Sequence, residues 1–196
     1  MANLEINGLH HLALVCKDMQ RTVDFYTNIL EMKLTKGFDL EGYGQHFFFD
    51  MGNGSELAFF WFNDAPEAQP GVTSAHHIVG SPEGNISSAH SSMNHVAFNV
   101  SPEKIADYRE KLVSKGVDCS ALVNHNDVVT GEESRTAEAA SEKTWLQSFY
   151  FFDPDGIMLE FCATLQPGLP NAELPVNAAG IKANGETITG IAAPTN

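Results

Sequence analysis

The stretch Trp145–Cys162, with the sequence WLQSFYFFDPDGIMLEFC, decides the fold that the sequence predicts. Its first part is rich in aromatic side chains, which suit the pleated and half-buried surface of a β-strand. The tetrapeptide DPDG at 153–156 is typical of a tight turn, because Pro sets φ and Gly tolerates positive φ. A second strand is then predicted over Ile157–Cys162, which is apolar except for Glu160. Because a carboxylate on a buried strand is costly without a partner, we expect Glu160 to bind a metal ion.

The sequence before this hairpin predicts a β-α-β-β-β unit over residues 93–165. Its earlier elements are a strand over Met93–Val100, a helix from Pro102 to about Ser114 and a strand over Val117–Asn124. Ser101 is a favourable N-cap for the helix and Gly116 can end it. The polar, acidic segment His125–Lys143 is predicted to be a loop before the hairpin.

Residues 8–62 predict the same order of elements. These are a strand over Leu9–Cys16, a helix over Met19–Leu30 and strands over Met32–Phe38, Gln45–Asp50 and Ser55–Phe62. Asp18 can cap the helix. Residues 63–92, rich in Pro, Gly, Ser, Ala and His, are predicted to link the two units, and residues 166–196 are predicted to form a C-terminal tail that is flexible from Asn171.

The two units share short sequences at corresponding places, which indicates an internal repeat. HLALV at 11–15 corresponds to HVAFN at 95–99, and ELAF at 56–59 corresponds to EFCA at 160–163. Each unit therefore carries a His on its first strand and a Glu on its last strand, namely His11, Glu56, His95 and Glu160. A pseudo-two-fold arrangement would bring these four side chains together. Imidazole and carboxylate ligands suit Fe, Mn, Zn, Ni or Co, so we expect a divalent metal site.

Composition excludes several classes of partner. The chain of 196 residues has 25 acidic and 11 basic residues, a formal net charge of −14, which disfavours nucleic acid and anionic membranes. No apolar run has the length of a membrane span, and the N-terminus lacks the pattern of a signal peptide. The cysteines, Cys16, Cys119 and Cys162, are odd in number and widely spaced, which predicts reduced thiols in a cytoplasmic protein.

Three features of the sequence together resemble the vicinal oxygen chelate superfamily. They are the repeated His-x-Ala strand, the Phe-Tyr pair in the first predicted helix, and the ending DPDG-x3-EF. That superfamily includes glyoxalase I, extradiol ring-cleaving dioxygenases and bleomycin resistance proteins. The resemblance covers about Leu9 to Ala163. It implies an α+β fold in which two βαβββ modules form a cup-shaped mixed sheet around a divalent metal, a small-molecule substrate that chelates through adjacent oxygens, and a homodimer.

Glyoxalase I supplies the leading functional expectation. That enzyme binds its metal through a His and a Glu from each half, and the four positions above all match it. The match implies a lyase or isomerase that acts through a metal-bound enolate, with Glu160 or Glu56 moving the proton. The Arg and Asn expected for a glutathione-linked substrate are replaced by Val15 and Phe60, so we expect a substrate without glutathione.

Extradiol dioxygenases supply the alternative. Their facial triad on Fe(II) or Mn(II) matches His11, His95 and Glu160, and the Tyr that steadies the substrate oxygen matches Tyr150. The acid–base His of that family is absent from the corresponding position, which is Ser55. A third reading is a non-catalytic drug-binding resistance protein, which the complete set of metal ligands disfavours.

Strand alternation predicts which side chains share the pocket with the metal ligands. These are Val15, Phe60, Phe62, Asn99 and Cys162, which favour a small and largely apolar substrate. His77 in the linker is a further candidate acid–base residue, and His10 is expected to face away from His11. The sequence indicates no partner for His46 or His125.

Overall fold

The structure is a computed structural model that describes residues 4–76, 86–126, 135–136 and 139–167. The first module contains β1 (His11–Val15), α1 (Met19–Asp24), a π-helical segment (Phe25–Ile29), β2 (Leu34–Leu40), β3 (Gly44–Gly52) and β4 (Ser55–Phe62). The second contains β5 (Val96–Asn99), α2 (Ile105–Ser114), β6 (Val123–Asn126), β7 (Arg135–Thr136), β8 (Thr144–Phe152) and β9 (Met158–Thr164).

Each module forms its own mixed sheet. The strand order is β1-β4-β3-β2 in the first sheet and β5-β9-β8-β6-β7 in the second. In both sheets the first strand of the module pairs with its last strand in parallel, while the other pairs are antiparallel. This confirms the α+β class and the paired βαβββ modules. Within the described ranges the two sheets are not hydrogen-bonded to each other, so one chain does not close a continuous cup.

The β8–β9 hairpin forms as the sequence predicts. Gly156 adopts a φ of 81° in the turn, a value that L side chains rarely adopt. The Asp153 carboxylate accepts the backbone N–H groups of Asp155 at 2.9 Å and Ile157 at 2.8 Å, which closes the turn. The resulting register places Tyr150 opposite Glu160. One local motif thus aligns two of the predicted site residues.

Other boundaries differ from the predictions. The Asp18 side chain caps α1 as expected, but regular α-helix ends at Asp24 and the chain continues in π-helical form. The strand predicted over Val117–Asn124 is wrong for most of its length, because only Cys119 makes an isolated bridge with β8 before β6 begins at Val123. The prediction that His125 lies in a loop is also wrong, since it pairs with β8 as part of β6.

The core lies between the modules. One cluster of buried side chains combines Leu57 and Phe59 of the first sheet with Phe149, Phe151 and Leu159 of the second. Burial of a large apolar side chain of this kind stabilises the fold by about 1.5–3 kcal/mol. Because successive strand residues face opposite sides, the residues between these core positions lie on the sheet faces that point away from the shared core. We call these the open faces.

Polar contacts also join the modules. The hydroxyl of the fully buried Tyr26 donates to the Asp153 carboxylate at 3.2 Å. On the surface, Glu31 accepts from Lys111 at 2.6 Å and from Lys115 at 2.8 Å. Lys115 also donates to two backbone carbonyls at the end of the π-helical segment, both at 2.9 Å. The two modules are therefore held together along their helices.

Three predicted regions fall wholly or partly outside the described residues. One is the loop predicted over His125–Lys143, of which 127–134 and 137–138 are not described. His77 and part of the linker lie within 77–85, and the C-terminal tail lies almost entirely within 168–196. No helix in the described ranges is long and apolar enough to cross a membrane.

Candidate metal centre

The second module brings one His–Glu pair into direct contact. His95 directly precedes β5 and Glu160 lies on the neighbouring strand β9, and His95 Nε2 is 2.9 Å from Glu160 Oε2. The Glu160 side chain is only 6% exposed. Burial alone would raise the pKa of Glu160, but the hydrogen bond from His95, together with the nearby Ser148 and Tyr150 side chains, outweighs burial and lowers it. The carboxylate is therefore held in its ionised form.

The donor set of this pair fits a divalent cation. His95 Nδ1 lies 2.7 Å from Asn94 Oδ1, while Nε2 faces the Glu160 carboxylate. Both ring nitrogens thus point at oxygen acceptors, whereas a neutral imidazole has only one N–H to donate. A proton must therefore lie between Nε2 and the carboxylate, unless both atoms bind a metal ion as neighbouring ligands. His and carboxylate ligands are those that first-row divalent metals use in proteins.

The first module brings its own pair into register. His11 on β1 is the direct pairing partner of Glu56 on β4, so both side chains lie on the open face. Glu56 Oε1 accepts a hydrogen bond of 2.6 Å from the Thr35 hydroxyl. His11 Nδ1 lies 2.8 Å from His10 Nδ1, so the prediction that His10 faces away is wrong. His10 precedes β1 in a bend, where strand alternation does not apply.

The two pairs do not meet within one chain. Among the described residues no group of three or more His, Cys, Asp or Glu side chains is placed to hold a metal ion together. The physical reason is the packing, because each sheet turns its apolar face to the shared core and its ligand-bearing face away from it. We refer to His11–Glu56 and His95–Glu160 as the two half-sites.

Tyr150 and His125 extend the second half-site. The Tyr150 hydroxyl lies 3.5 Å from His125 Nε2, and the Tyr150 ring makes an edge contact with His95 at a centroid distance of 5.9 Å. His125 pairs with Leu146. Because Leu146, Ser148 and Tyr150 occupy every second position of β8, all three lie on the same face, and His125 lies there with them. The sequence did not indicate His125 because the predicted strand ended at Asn124, two residues before β6 ends. A strand extended to Asn126 would have placed His125 on the open face.

The pocket residues predicted for the second module lie on the same face as Glu160. Asn99 and Ser148 are the two pairing partners of Cys162. Burial raises the pKa of the Cys162 thiol, and the charge of Glu160 raises it further. The Ser148 hydroxyl is buried without a partner at hydrogen-bond distance among the described residues. This face therefore offers a small, partly polar wall beside the carboxylate.

Two of the three pocket residues predicted for the first module, Phe60 and Phe62, belong to an array of aromatic rings. Phe60 stacks on His46 at a centroid distance of 3.6 Å and an angle of 3°, and on Phe62 at 5.2 Å and 12°. Val15 lies at the edge of the face and is 49% exposed. The sequence indicated no role for His46. In the structure it pairs with Phe60, which places it on this face. A cleft of about 740 Å³ elsewhere, beside Trp61, contains none of the predicted site residues.

The family of the chain follows from a direct comparison. Residues 8–161 match the family model of the Glyoxalase/Bleomycin resistance protein/Dioxygenase superfamily, and the chain belongs to that superfamily. This confirms the resemblance that the repeated strands and the DPDG-x3-EF ending predict. The superfamily combines enzymes with resistance proteins, as its description states.

Solved structures agree on the fold. SMU.1112c is similar with a TM-score of 0.54 and 20% identity, covering 81% of this chain and 99% of that one. The fosfomycin resistance protein FosX from Listeria monocytogenes, complexed with Mn(II) and sulfate, has a TM-score of 0.50 and 20% identity, covering 82% and 96%. A glyoxalase family protein from Enterococcus faecalis has a TM-score of 0.50 and 21% identity, covering 80% and 97%. Of these three, the FosX structure contains Mn(II).

Proposed function

We propose that the chain is a metal-dependent vicinal oxygen chelate enzyme with a glyoxalase-like lyase or isomerase activity. The observation that carries the proposal is the repeated half-site: His95 and Glu160 are 2.9 Å apart on one open face, and His11 and Glu56 are in register on the other. A buried, ionised carboxylate against an imidazole supports metal binding rather than a purely apolar binding role.

We further propose that a homodimer completes the centre. β1 and β5 are edge strands of their sheets, and both half-sites lie on faces that point away from the core of their own chain. A two-fold axis would place the first open face of one copy against the second open face of the other. Such an arrangement would create two equivalent centres, each with the full set of ligands.

The chemistry divides between the metal and the protein. A divalent ion at the centre would polarise adjacent oxygens of the substrate and stabilise the negative charge that develops on them. Glu160 is held by His95 and is suited to remain in place. Glu56 is half-buried and accepts a hydrogen bond from the single hydroxyl of Thr35, so it is the freer of the two carboxylates to move a proton.

The open faces favour a small, largely apolar substrate that carries neighbouring oxygens. Phe60 and Phe62 offer stacked rings beside Glu56, while Asn99 and Cys162 line the opposite half-site. The side chains of Val15 and Phe60 cannot pair with the charges of glutathione, which supports a substrate without it. We also propose a reducing, cytoplasmic location, which the free thiols of all three cysteines support.

A complementation experiment tests the shared centre. His11→Ala and Glu160→Ala chains carrying different tags are co-expressed and the heterodimer is isolated. If each centre is shared between two copies, one centre of the heterodimer contains both substitutions and the other contains neither. The heterodimer then binds one Mn(II) per dimer with wild-type affinity. If the centre lies within one chain, both centres lack a ligand. Failure to restore tight binding, or a monomer by light scattering, would overturn the proposal of a shared centre.

A second candidate activity is extradiol-type ring cleavage of a catechol-like substrate. The observation that favours it is Tyr150, which lies opposite Glu160 and 3.5 Å from His125, a pair able to hold and exchange a proton with a substrate oxygen. In this reading the ligands are His11, His95 and Glu160, and Glu56 is not required.

Glu56→Ala separates the two activities. The protein is loaded anaerobically with Fe(II), exposed to a panel of catechols, and oxygen uptake is recorded. Uptake that survives Glu56→Ala supports ring cleavage. The absence of uptake with every catechol, combined with metal-dependent proton exchange from a hydroxy-carbonyl compound that Glu56→Ala abolishes, supports the lyase or isomerase.

A further inference from the structure

We infer that the residue before each ligand His, Asn94 in one half-site and His10 in the other, is a positioning residue that fixes the orientation and tautomer of the metal-binding imidazole. The inference rests on the proposed function for the identity of the ligands. It concerns residues that the metal would not touch.

Asn94 has only one orientation that satisfies its neighbours. Its amide nitrogen donates to the Ile86 carbonyl and lies 3.3 Å from the Ser88 hydroxyl. The amide oxygen is therefore the group that faces His95 Nδ1, at 2.7 Å. Because a carboxamide oxygen can only accept, Nδ1 of His95 must carry the proton.

This contact decides which ring nitrogen is left for a metal. With one proton held on Nδ1, Nε2 is the nitrogen of His95 that a metal would bind, in place of the proton shared with Glu160 across 2.9 Å. A metal-ligating His commonly donates its second N–H to an acceptor that fixes the ring and makes it a stronger ligand. Loss of such an acceptor typically lowers metal affinity by about 10–100-fold.

The first half-site repeats the arrangement with a different side chain. His10 precedes His11 as Asn94 precedes His95, and its Nδ1 lies 2.8 Å from His11 Nδ1. Nitrogens at this distance share one proton. When His10 accepts, His11 carries its proton on Nδ1, which leaves Nε2 as the nitrogen available to a metal. The same backbone position therefore has the same role in both modules.

Paired variants separate positioning from simple tethering of residues 86–92. Asn94→Leu removes both the acceptor for His95 and the donor to the Ile86 carbonyl, whereas Asn94→Asp keeps the acceptor and removes the donor. We expect Asn94→Leu to weaken Mn(II) binding by about 10–100-fold in calorimetry, and Asn94→Asp to restore it. Asn63→Leu, a change at an exposed position after β4, is the control and should bind as wild type. Equal losses for both Asn94 variants would overturn the inference.

Nitrogen NMR of the metal-free protein at a single pH provides a readout without metal. In the wild type we expect His95 Nδ1 to be protonated, and in Asn94→Leu we expect Nδ1 to lose its proton while Nε2, which faces Glu160, keeps its own. An unchanged His95 spectrum in Asn94→Leu would contradict the role of Asn94 even if the metal data agreed. If the wild type binds no metal while the tautomers shift as expected, the proposed function fails and the positioning contact stands.

The His10 variants test the repeat. His10→Asn places an amide acceptor where Asn94 has one, and we expect it to keep wild-type Mn(II) affinity. His10→Leu removes the acceptor and should weaken binding by about 10–100-fold. If His10→Leu keeps full affinity, His10 does not position His11, and the inference that the residue before each ligand His has the same role in both modules is overturned.

Discussion

The buried carboxylate of Asp153 should make stability depend on pH in an unusual direction. Asp153 is 5% exposed, and burial raises its pKa from 3.8 to about 6, although hydrogen bonds from Ile157, Asp155 and Tyr26 oppose the rise. A carboxyl group whose folded-state pKa is raised favours the folded protein while it is protonated. Its contribution is therefore complete below about pH 4 and is lost as the pH rises through about 6.

The magnitude follows from the two pKa values. Each pKa unit corresponds to about 1.36 kcal/mol, so a rise from 3.8 to about 6 corresponds to about 3 kcal/mol between low and neutral pH. Asp153→Asn removes the titration and keeps an acceptor for the turn. We expect the difference in unfolding free energy between wild type and Asp153→Asn to fall by about 3 kcal/mol from pH 4 to pH 7.

Urea denaturation followed by tryptophan fluorescence at several pH values measures this difference. Other carboxylates titrate in both proteins, so only the difference between the two curves reports on Asp153. Tyr26→Phe is the control, because it keeps the carboxyl group but removes a hydrogen bond that opposes the rise in pKa. Its pH dependence should be at least as steep as that of the wild type. Parallel curves for wild type and Asp153→Asn would refute the reasoning.

Five further outcomes follow from substitutions of single residues. Lys115→Met should lower the unfolding free energy by about 1–2 kcal/mol in a urea titration, because two backbone carbonyls lose a charged donor. Lys17→Met removes an exposed ion pair and should change the unfolding free energy by less than about 0.5 kcal/mol in the same titration. Phe59→Ala in the shared core should cost about 3–5 kcal/mol, measured by thermal unfolding. Glu160→Gln should weaken Mn(II) binding at least about tenfold in calorimetry. Tyr150→Phe should leave Mn(II) affinity unchanged while lowering turnover, which steady-state kinetics would show.

The repeat made much of the fold and of the candidate site predictable. Alternating apolar residues along β4, β8 and β9 indicate which side chains face the core. Matching the two copies of one unit indicates His11 and Glu56 as site candidates, whereas their direct pairing is seen only in the structure. Errors occurred where local patterns are weak. The segment before Val123 is extended and apolar enough to resemble a strand, but only Cys119 meets β8 there. The same boundary error placed His125 in a loop, although it pairs with β8.

By itself, the sequence determined the two modules, the hairpin turn at 153–156 and the presence of one His and one Glu at repeated strand positions, because these depend on local propensity and on the two-residue period of a strand. Only the tertiary structure decided that the apolar faces of both sheets pack into one core, which separates the half-sites within a chain. It also decided that the His10 ring turns onto His11, because a side chain in a bend is placed by its neighbours in space and not by strand alternation.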